Sequence, residues 1–579
     1  MRAGGPVRRL APAVAIVVAA AAAPARAGDV FDAETLDFAA RVDLHEWELL
    51  PNEHAGRLEI VDTLARRQVR AFYGAASIDG TSPTFSLLEI YFNAGAYLDR
   101  PVVRLRDARL QARLRPHMTP EALDRLARTG RVGPVGLLGP AQRGALTAAG
   151  RADASAPAWD RLGALREPVR AAAGADRRLA RACGRLLGRV EAFLAAEALR
   201  LVPPRAPGGP YVADEHLRAI LDARGRVPAS TAARAERVHE ELAALARAWR
   251  QRDARSFNEL SAGLIARLLE EAPVTRPPRW RRRLERFHNR TYGLTFAWVG
   301  FFAAAVLLLA AAAGGGRRRA LRAVGMAVFA ASTATLAAGV AVRWIISGRG
   351  WHLPPLTNQY ESVMGVALMA ALAGMALELI FRRGAMALVA SVVAAVALLC
   401  AFFRLGPLQP EIGAPMALLN TSILAWHVST LMVGYGVIGM SVLVSLAYLS
   451  IAAVRRRAPD APRSAGPDLT ARPAGGLLPE LDRYNLVLLQ LACWLVGIGN
   501  ILGAYWADRA WGRWWGWDAK ETWGLMTFVV YLGVLHARYA LPARRRGTWT
   551  AALSVFGCAV MGFTWWGVNY VLRGLHSYA

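Results

Sequence analysis

Beyond about residue 292 the chain is a succession of long apolar runs separated by short polar or basic segments. Each run reaches the roughly 20 helical residues that cross a hydrocarbon core. Helices satisfy their own backbone hydrogen bonds within that core. The pattern therefore predicts an all-α, polytopic membrane helix bundle of about eight spans. The predicted spans are residues 293–313, 321–345, 361–381, 385–403, 420–453, 485–506, 521–541 and 549–572.

The N-terminus has the pattern of a secretory signal peptide, predicted over residues 1–27. Arg2, Arg8 and Arg9 precede the apolar stretch "LAPAVAIVVAAAAAP", and "ARA" at 25–27 is a small-residue cleavage site. An uncleaved membrane anchor is the alternative. Either way, the segment that follows is predicted to be exported.

Residues 28–290 are rich in Arg, Ala, Leu and Glu, and their apolar residues recur at helical spacing. We predict a mainly helical soluble domain outside the cytoplasm, followed by a membrane domain over 291–579. Cys183 is the only cysteine of the exported segment, which excludes an internal disulfide there. The formal net charge of +27 is spread over scattered arginines and short inter-span clusters, and no motif supports nucleic-acid binding.

The basic clusters orient the predicted spans, because loops rich in Lys and Arg stay on the cytoplasmic side. With the first domain exported, every loop expected inside carries arginines and the opposite loops carry few. We therefore expect a protein of a bacterial inner membrane, with the N-terminal domain on the periplasmic side. The loops expected inside contain "GGGRRRALR" (314–322), "FRR" (381–383), "VRRRAPDAPRSAGPDLTAR" (454–472) and "HARYALPARRRG" (536–547).

One predicted external loop, the tryptophan stretch "WADRAWGRWWGWDAKETW" at 506–523, concentrates aromatic rings and charges. Stacked indoles can bury a flat apolar disc such as haem, and Arg509, Arg513 or Lys520 can meet its carboxylates. An ordinary interfacial aromatic belt is the alternative, but it does not explain six tryptophans with interleaved charges in one segment. The tryptophans are Trp506, Trp511, Trp514, Trp515, Trp517 and Trp523, and the acidic residues are Asp508, Asp518 and Glu521.

Histidines supply the candidate iron ligands. His352, His427 and His576 are predicted at the depth of the tryptophan stretch, whereas His536 falls near the inner end of the seventh span. Two neutral imidazoles on opposite faces of a porphyrin give six-coordinate haem. Zinc is the rival metal, but the short ligand spacings typical of zinc sites are absent from the sequence.

The tryptophan stretch resembles the WWD signature of haem-handling proteins in cytochrome c maturation, and more narrowly the CcsA/ResC family of System II. Three further segments match that family in order: "HLPPLTNQYES" (352–362), "WHVSTLMVGYG" (426–436) and "GVNYVLRGLHSYA" (567–579). The family usually has Pro at the position of Ala519 and often Tyr at that of Trp514. The exported segment "GRLEIVDTLARRQVRAFYG" (56–74) is similar to a segment of some longer proteins of this type.

The resemblance implies that haem b is both bound and used as substrate. It implies His427 and His576 as the external axial ligands, and His536 as the ligand that holds haem on its way outward. The tryptophans, Asp518 and Arg513 would complete the haem site. The implied partners are a ResB/CcsB-type membrane subunit, an apocytochrome c, the lipid bilayer and, indirectly, a thioredoxin-like thiol reductant.

The implied reaction is addition of both thiols of an apocytochrome CxxCH motif to the haem vinyl groups, a holocytochrome c synthase activity. This chain has neither CxxC nor CxxCH, so it is not itself the cytochrome or the thiol reductant. Two alternatives remain: a haem exporter or chaperone without synthase activity, and a quinone-linked membrane redox subunit. No catalytic side chain is identified from the sequence.

Overall fold

The structure is a computed structural model, and it divides into two compact units between Arg286 and Phe287. Both units are built almost entirely of helices, which confirms the predicted all-α class. The residues that it describes are 30–54, 56–137, 176–194, 199–202, 214–223, 227–270, 276–314, 318–405, 408–413, 421–457 and 476–572. The predicted signal peptide and His576 lie outside these ranges.

The first unit contains helices and two short antiparallel hairpins, in which β1 pairs with β2 and β3 with β4. Its strands are β1 (Pro51–His54), β2 (Arg57–Ile60), β3 (Val103–Arg104) and β4 (Arg131–Val132). Its helices are α1 (Ala33–Arg41), α2 (His45–Glu48), α3 (Val61–Tyr73), α4 (Pro83–Asn93), α5 (Ala108–Leu114), α6 (Pro120–Thr129), α7 (Arg177–Leu194), α8 (Asp214–Asp222), α9 (Ala229–Arg250), α10 (Ala254–Glu270) and α11 (Arg279–Arg290), whose last residues belong to the second unit.

The core of the first unit is aromatic, and Trp249 stands at its centre. The Trp249 ring meets Phe38 at 5.0 Å and Phe257 at 4.8 Å between ring centroids. Its indole N–H donates to the buried Glu89 carboxylate at 2.6 Å. Arg252 donates to both oxygens of the same carboxylate, at 2.6 and 2.8 Å. A buried charge is tolerated here because several donors surround it.

The segment singled out at 56–74 forms β2 and α3 of the first unit. Arg57 and Thr63 from this segment both donate to the buried Glu285 carboxylate of α11, at 2.9 and 2.7 Å. Gly74 ends α3 in the left-handed region, with φ 86°, where only glycine is free of strain. Residues 56–74 therefore hold α11 in place through Glu285, and α11 is the helix that precedes the first apolar span.

The second unit is a bundle of long helices, and the protein is a multi-pass membrane protein. Among its described residues, seven helices are long and apolar enough to cross a membrane. They are α12 (Ala297–Ala313), α13 (Arg318–Ser347), α14 (Gln359–Phe381), α15 (Ala385–Phe402), α16 (Ser422–Arg457), α17 (Leu477–Trp511) and α19 (Ala543–Gly562), which continues through the π-helical turn Phe563–Gly567 into α20 (Val568–Val571).

The predicted seventh span is present as helix α18 (Ala519–Ala540), but it is not among those seven. Polar side chains near both of its ends, Lys520 and Glu521 at one and His536 and Arg538 at the other, make it less apolar than its neighbours. It packs against α17 through Phe528, which lies close to Gly497, and against α19 through the buried Tyr531, which lies close to Gly557. The sequence therefore located the helix correctly, although its composition is weaker than that of the other predicted spans.

The longest helices extend beyond a bilayer core. α17 has 35 residues and α16 has 36, which at 1.5 Å per residue is about 50 Å, against about 30 Å of hydrocarbon. The two helices pack along each other. Glycine residues on α17 let α16 approach closely, as is common between membrane helices.

Candidate functional site

One end of the second unit brings together several of the residues that the sequence singled out. There α14, α16 and α18 begin and α17 and α20 end, and a cavity of about 360 Å³ lies between them. Pockets for small molecules usually measure about 300–1,000 Å³, and this cavity falls within that range. The apolar wall is formed by Leu356, Leu424, Val428, Leu431, Met432, Tyr435, Trp506, Trp515 and Trp565.

His427 lies on the cavity wall in the second turn of α16. Its Nδ1 is 2.7 Å from the carbonyl oxygen of Gly499 on α17. Because a carbonyl only accepts, Nδ1 carries the proton, and the lone pair of this tautomer is on Nε2. A backbone carbonyl that fixes the ring in this way is the usual support of a metal-binding histidine.

The tryptophan stretch is largely helical, which corrects the prediction of one long loop over 506–523. α17 continues through Trp511 and ends at Gly512, whose φ of 69° places it in the left-handed region. α18 begins after Asp518, so only residues 512–518 connect the two helices. Trp517 has a φ of 55° in this turn, a strained conformation for a bulky residue.

Two of the six tryptophans line the cavity. Trp506 is 2% exposed and Trp515 is half-buried. The Trp515 indole N–H is buried and has no acceptor among the described residues. Trp511 packs edge-on against Trp506 at 4.9 Å and therefore supports the wall from behind.

The other tryptophans stand away from the cavity. Trp514 packs against Tyr505, Trp517 packs edge-on against Trp515, and Trp523 packs at a tilt against Phe563, with ring centroids 4.4 Å apart. Trp514 and Trp517 are 53% and 70% exposed. An exposed aromatic surface therefore borders the cavity mouth.

Asp518 and Glu521 organise the connection between α17 and α18. Asp518 accepts a hydrogen bond from the Glu521 backbone N–H at 2.8 Å, and Glu521 accepts from the backbone of Gly516 and Asp518, at 2.7 and 3.3 Å. These bonds form a capping box at the start of α18. Asp518 therefore acts through the backbone, and Glu521 also reaches the cavity wall.

A polar section of the wall combines residues from three chain segments. Lys520 donates to the side-chain oxygen of Asn569, and the Asn569 amide donates to the carbonyl of Trp565 at 3.1 Å. Gln359, when its amide oxygen faces the indoles, accepts from the N–H groups of Trp565 and Trp566 at 3.1 and 3.2 Å. Trp565 lies in the π-helical turn at Phe563–Gly567, a feature frequent at functional sites.

A buried charge cluster holds the segment 408–413 beside the cavity. Glu361 accepts from Arg343 at 2.9 Å and from Arg349 at 3.1 Å. Arg343 also donates to the carbonyl oxygens of Pro410 and Glu411, at 2.8 and 3.1 Å. Glu411 lines the cavity, so the cluster fixes part of its rim.

The remaining predicted site residues are not brought to the cavity. His536 is exposed on α18, and its Nδ1 is 2.8 Å from the Leu532 carbonyl of the same helix. His352 packs edge-on against Trp351. Arg513 is exposed beside Gly516. His576 lies outside the described residues, so its position is not given by the structure.

Several lining residues were not identified from the sequence, among them Gln359, Asn500, Trp565 and Asn569. Gln359 and Asn569 do fall in the segments "TNQYES" and "GVNY" that carry the family resemblance. The sequence therefore drew attention to these segments, but it did not predict that these two residues line the cavity. The tryptophan pair in "FTWWG" was a further signal, since it stands near the end of the last span.

Comparison with known proteins places these features in a family. Residues 356–576 match the family model described as "Cytochrome C assembly protein". The chain is 31% identical over 264 residues to the cytochrome c biogenesis protein CcsA of Guillardia theta, covering 44% of this chain and 84% of that protein. It is 32% identical over 257 residues to CcsA of Synechococcus sp. (strain CC9902), covering 42% and 82%.

A longer relative is also similar. The protein NrfI of Wolinella succinogenes is 32% identical over 241 residues, which are 42% of this chain and 24% of that protein. The chain thus matches about a quarter of NrfI but most of the two CcsA proteins.

Fold and site together define a class, a multi-pass helical membrane protein with an aromatic-lined cavity at one end of its bundle. Within that class, the similarity to most of the length of the CcsA proteins identifies the family. The chain belongs to the CcsA/ResC family of cytochrome c biogenesis proteins.

Proposed function

We propose that the cavity binds haem b as a substrate and presents it for covalent attachment to an apocytochrome c. The observation that carries this proposal is the placement of His427 beside Trp506 and Trp515 on one cavity wall, with Nδ1 of the imidazole bonded to Gly499. The wall fits a flat apolar ring with a metal at its centre: indoles flank the ring, and the Nε2 lone pair meets the iron.

His427 and His576 are the proposed axial ligands on the two faces of the haem. The last described residues before the C-terminus support this pairing, because Asn569 and Tyr570 line the same cavity as His427. His576 follows them by few enough residues to reach the ring. Of the six tryptophans, Trp506 and Trp515 contact the haem, and Trp511 supports them.

In the proposed reaction each cysteine thiol of a CxxCH motif adds across one haem vinyl group. A carbon–sulfur bond forms, and the thiol proton goes to the other vinyl carbon, so the step has no net redox change. The chain's own residues hold the ring, exclude water from its faces and leave one edge at the cavity mouth. The peptide histidine then replaces one of the protein ligands.

The proposed orientation puts the cavity on the periplasmic side of a bacterial inner membrane, because the opposite loops carry the arginines.

His536 is then near the cytoplasmic side, where a second histidine is needed to hold haem on its way outward. Its exposure on the surface of α18 supports a ligand from another subunit, for which a ResB/CcsB-type protein is the proposed partner. A thioredoxin-like reductant would keep the apocytochrome thiols reduced.

Reconstitution separates a synthase from an exporter. The full-length protein is purified with its ResB/CcsB-type subunit and loaded with haem, and a reduced apocytochrome c carrying CxxCH is added. A synthase gives haem that stays with the cytochrome after acid–acetone extraction. A CxxCH→SxxSH apocytochrome is the matched control and should release all its haem. Haem transfer without a covalent product would leave an exporter or chaperone, and no haem bound at all would contradict the proposal.

A further inference from the structure

Lys520 differs from the other two cations of the tryptophan stretch in its surroundings. It is the only lysine or arginine among the described residues that line the cavity. Arg509 is exposed, bonds to the Tyr505 hydroxyl at 3.0 Å and lies over that ring. Arg513 is exposed against Gly516. Lys520 therefore lines the cavity, whereas Arg509 and Arg513 do not, although the sequence alone does not distinguish the three cations.

The ammonium group of Lys520 has a neutral partner. It donates to Asn569, and no carboxylate in the described part of the chain forms an ion pair with it. Glu521, although on the same wall, is committed to the backbone N–H groups of Gly516 and Asp518. Asp518 is the carboxylate whose charge acts on Lys520, but the two form no ion pair, so the ammonium can still attract an anion that enters the cavity.

Asn569 sets the direction of the Lys520 side chain. Its amide N–H bonds to the Trp565 carbonyl at 3.1 Å, which turns its oxygen towards the lysine. An ammonium has three donors, so one bond to Asn569 leaves two for a ligand. Two donors on one centre suit a carboxylate.

We propose that Lys520 receives a carboxylate of the tetrapyrrole, with Asn569 as its positioning residue, so that the site selects rings whose propionates are free. This inference rests on the proposed function. It specifies the substrate class as a metallated tetrapyrrole carboxylate, and it assigns the contact to Lys520 in preference to Arg509 and Arg513. Ligation of the iron by His427 is a separate contact and does not depend on it.

The test compares haem with haem dimethyl ester, in which both propionates are neutral. Each is titrated into the full-length protein in detergent and followed by the Soret absorbance. Charge-assisted hydrogen bonds are worth enough that the wild type should bind haem about 10- to 100-fold more tightly than the ester. Lys520→Met should lower haem affinity to the level of the ester and leave ester binding unchanged. Lys520→Arg should keep most of the preference.

The outcomes distinguish this inference from the proposed function. Equal binding of haem and ester to the wild type would overturn the role of Lys520 while leaving haem binding intact. A preference that survives Lys520→Met but is lost in Arg509→Gln or Arg513→Gln would move the contact to that arginine. Failure of both ligands to bind the wild type would instead contradict the proposed function. Retained ester binding shows that the Lys520→Met cavity is folded.

Discussion

At the scale of single residues, Gly503 of α17 leaves the space that the His427 ring occupies. A Cβ at this position of α17 would lie 2.6 Å from Cε1 and 2.8 Å from Nδ1 of His427. No real Cβ contact is that short, so the imidazole has its place only because Gly503 has no side chain. Gly503 leaves space for the ring, and the Gly499 carbonyl, one turn earlier, fixes it by a hydrogen bond; we call these two features the seat of the ring.

Gly503→Ala should therefore displace the His427 ring and weaken haem binding, while the helix itself gains about 1 kcal/mol of intrinsic propensity. The measurement is haem content and the optical spectrum of the purified full-length variant. Gly533→Ala is the matched control, because the added Cβ meets nothing within 4 Å on the same unit. A Gly503→Ala protein with wild-type haem content would show that the imidazole does not need this seat.

At the scale of elements, the cavity rim depends on a short segment that has no regular secondary structure. Residues 408–413 are held by carbonyl bonds to Arg343, by Arg349 and by Asn358. Arg343 and Arg349 are in turn held by Glu361, which is 1% exposed. One carboxylate in the first turn of α14 thus controls the shape of a loop that is distant in sequence.

Glu361→Gln should loosen this rim and destabilise the bundle, because loss of one partner leaves two buried guanidinium groups without a counter-ion. Breaking a buried ion pair in this way costs about 3–5 kcal/mol. Hydrogen exchange of the segment 408–413 and the thermal midpoint of the full-length protein report the two effects. Arg383→Gln is the control, since its ion pair with Glu480 is 47% exposed on the arginine side and should change the midpoint little. Unchanged exchange in Glu361→Gln would contradict the assigned role.

A second buried carboxylate links helices α4 and α9 of the first unit. Burial alone would raise the pKa of Glu89, but hydrogen bonds from Arg252, Tyr97 and Asn93 outweigh it and lower the pKa below its usual value. A carboxylate with a lowered pKa contributes stability at neutral pH. That stability begins to fall below the unfolded pKa of about 4.3, and it is lost as the pH drops through the folded value.

Protection of α4 against hydrogen exchange, corrected for the intrinsic rate, should therefore fall as the pH drops below about 4.3. Glu89→Gln should already lower protection at neutral pH and remove most of this acid dependence. Glu259→Gln, which breaks an exposed pair with Arg255, should keep the wild-type profile. A Glu89→Gln profile that overlays the wild type would show that the carboxylate does not stabilise the unit.

At the scale of the whole molecule, patterns with a strong physical basis were predictable from the sequence. The all-α class and the helices of the bundle follow from apolar runs that must satisfy their own backbone in lipid. Trp506 and Trp515 of the tryptophan stretch line the same cavity as His427, and their role in haem binding stays a prediction. The family resemblance, carried by four short segments, is confirmed by the comparisons.

The details that the sequence missed depend on tertiary contacts. Lys520, Arg509 and Arg513 are equivalent by composition, and only the turn at 512–518 directs one of them to the cavity. The sequence does not distinguish Trp511, Trp514, Trp517 and Trp523 from the two tryptophans that line the wall. The side that each indole faces depends on its position on α17, on α18 or in the 512–518 connection. The seat of His427 depends on two glycines more than 70 positions away along the chain.

Ligation of haem iron by His427 is the contact on which the proposed function depends, and the optical spectrum of the full-length His427→Ala variant reports on it. His352→Ala is the matched control, since His352 stands outside the cavity wall. We expect His427→Ala to lose the low-spin bis-histidine spectrum, added imidazole to restore it by occupying the vacated position, and His352→Ala to keep the wild-type spectrum. An unchanged low-spin spectrum in His427→Ala without imidazole would show that His427 does not bind the iron.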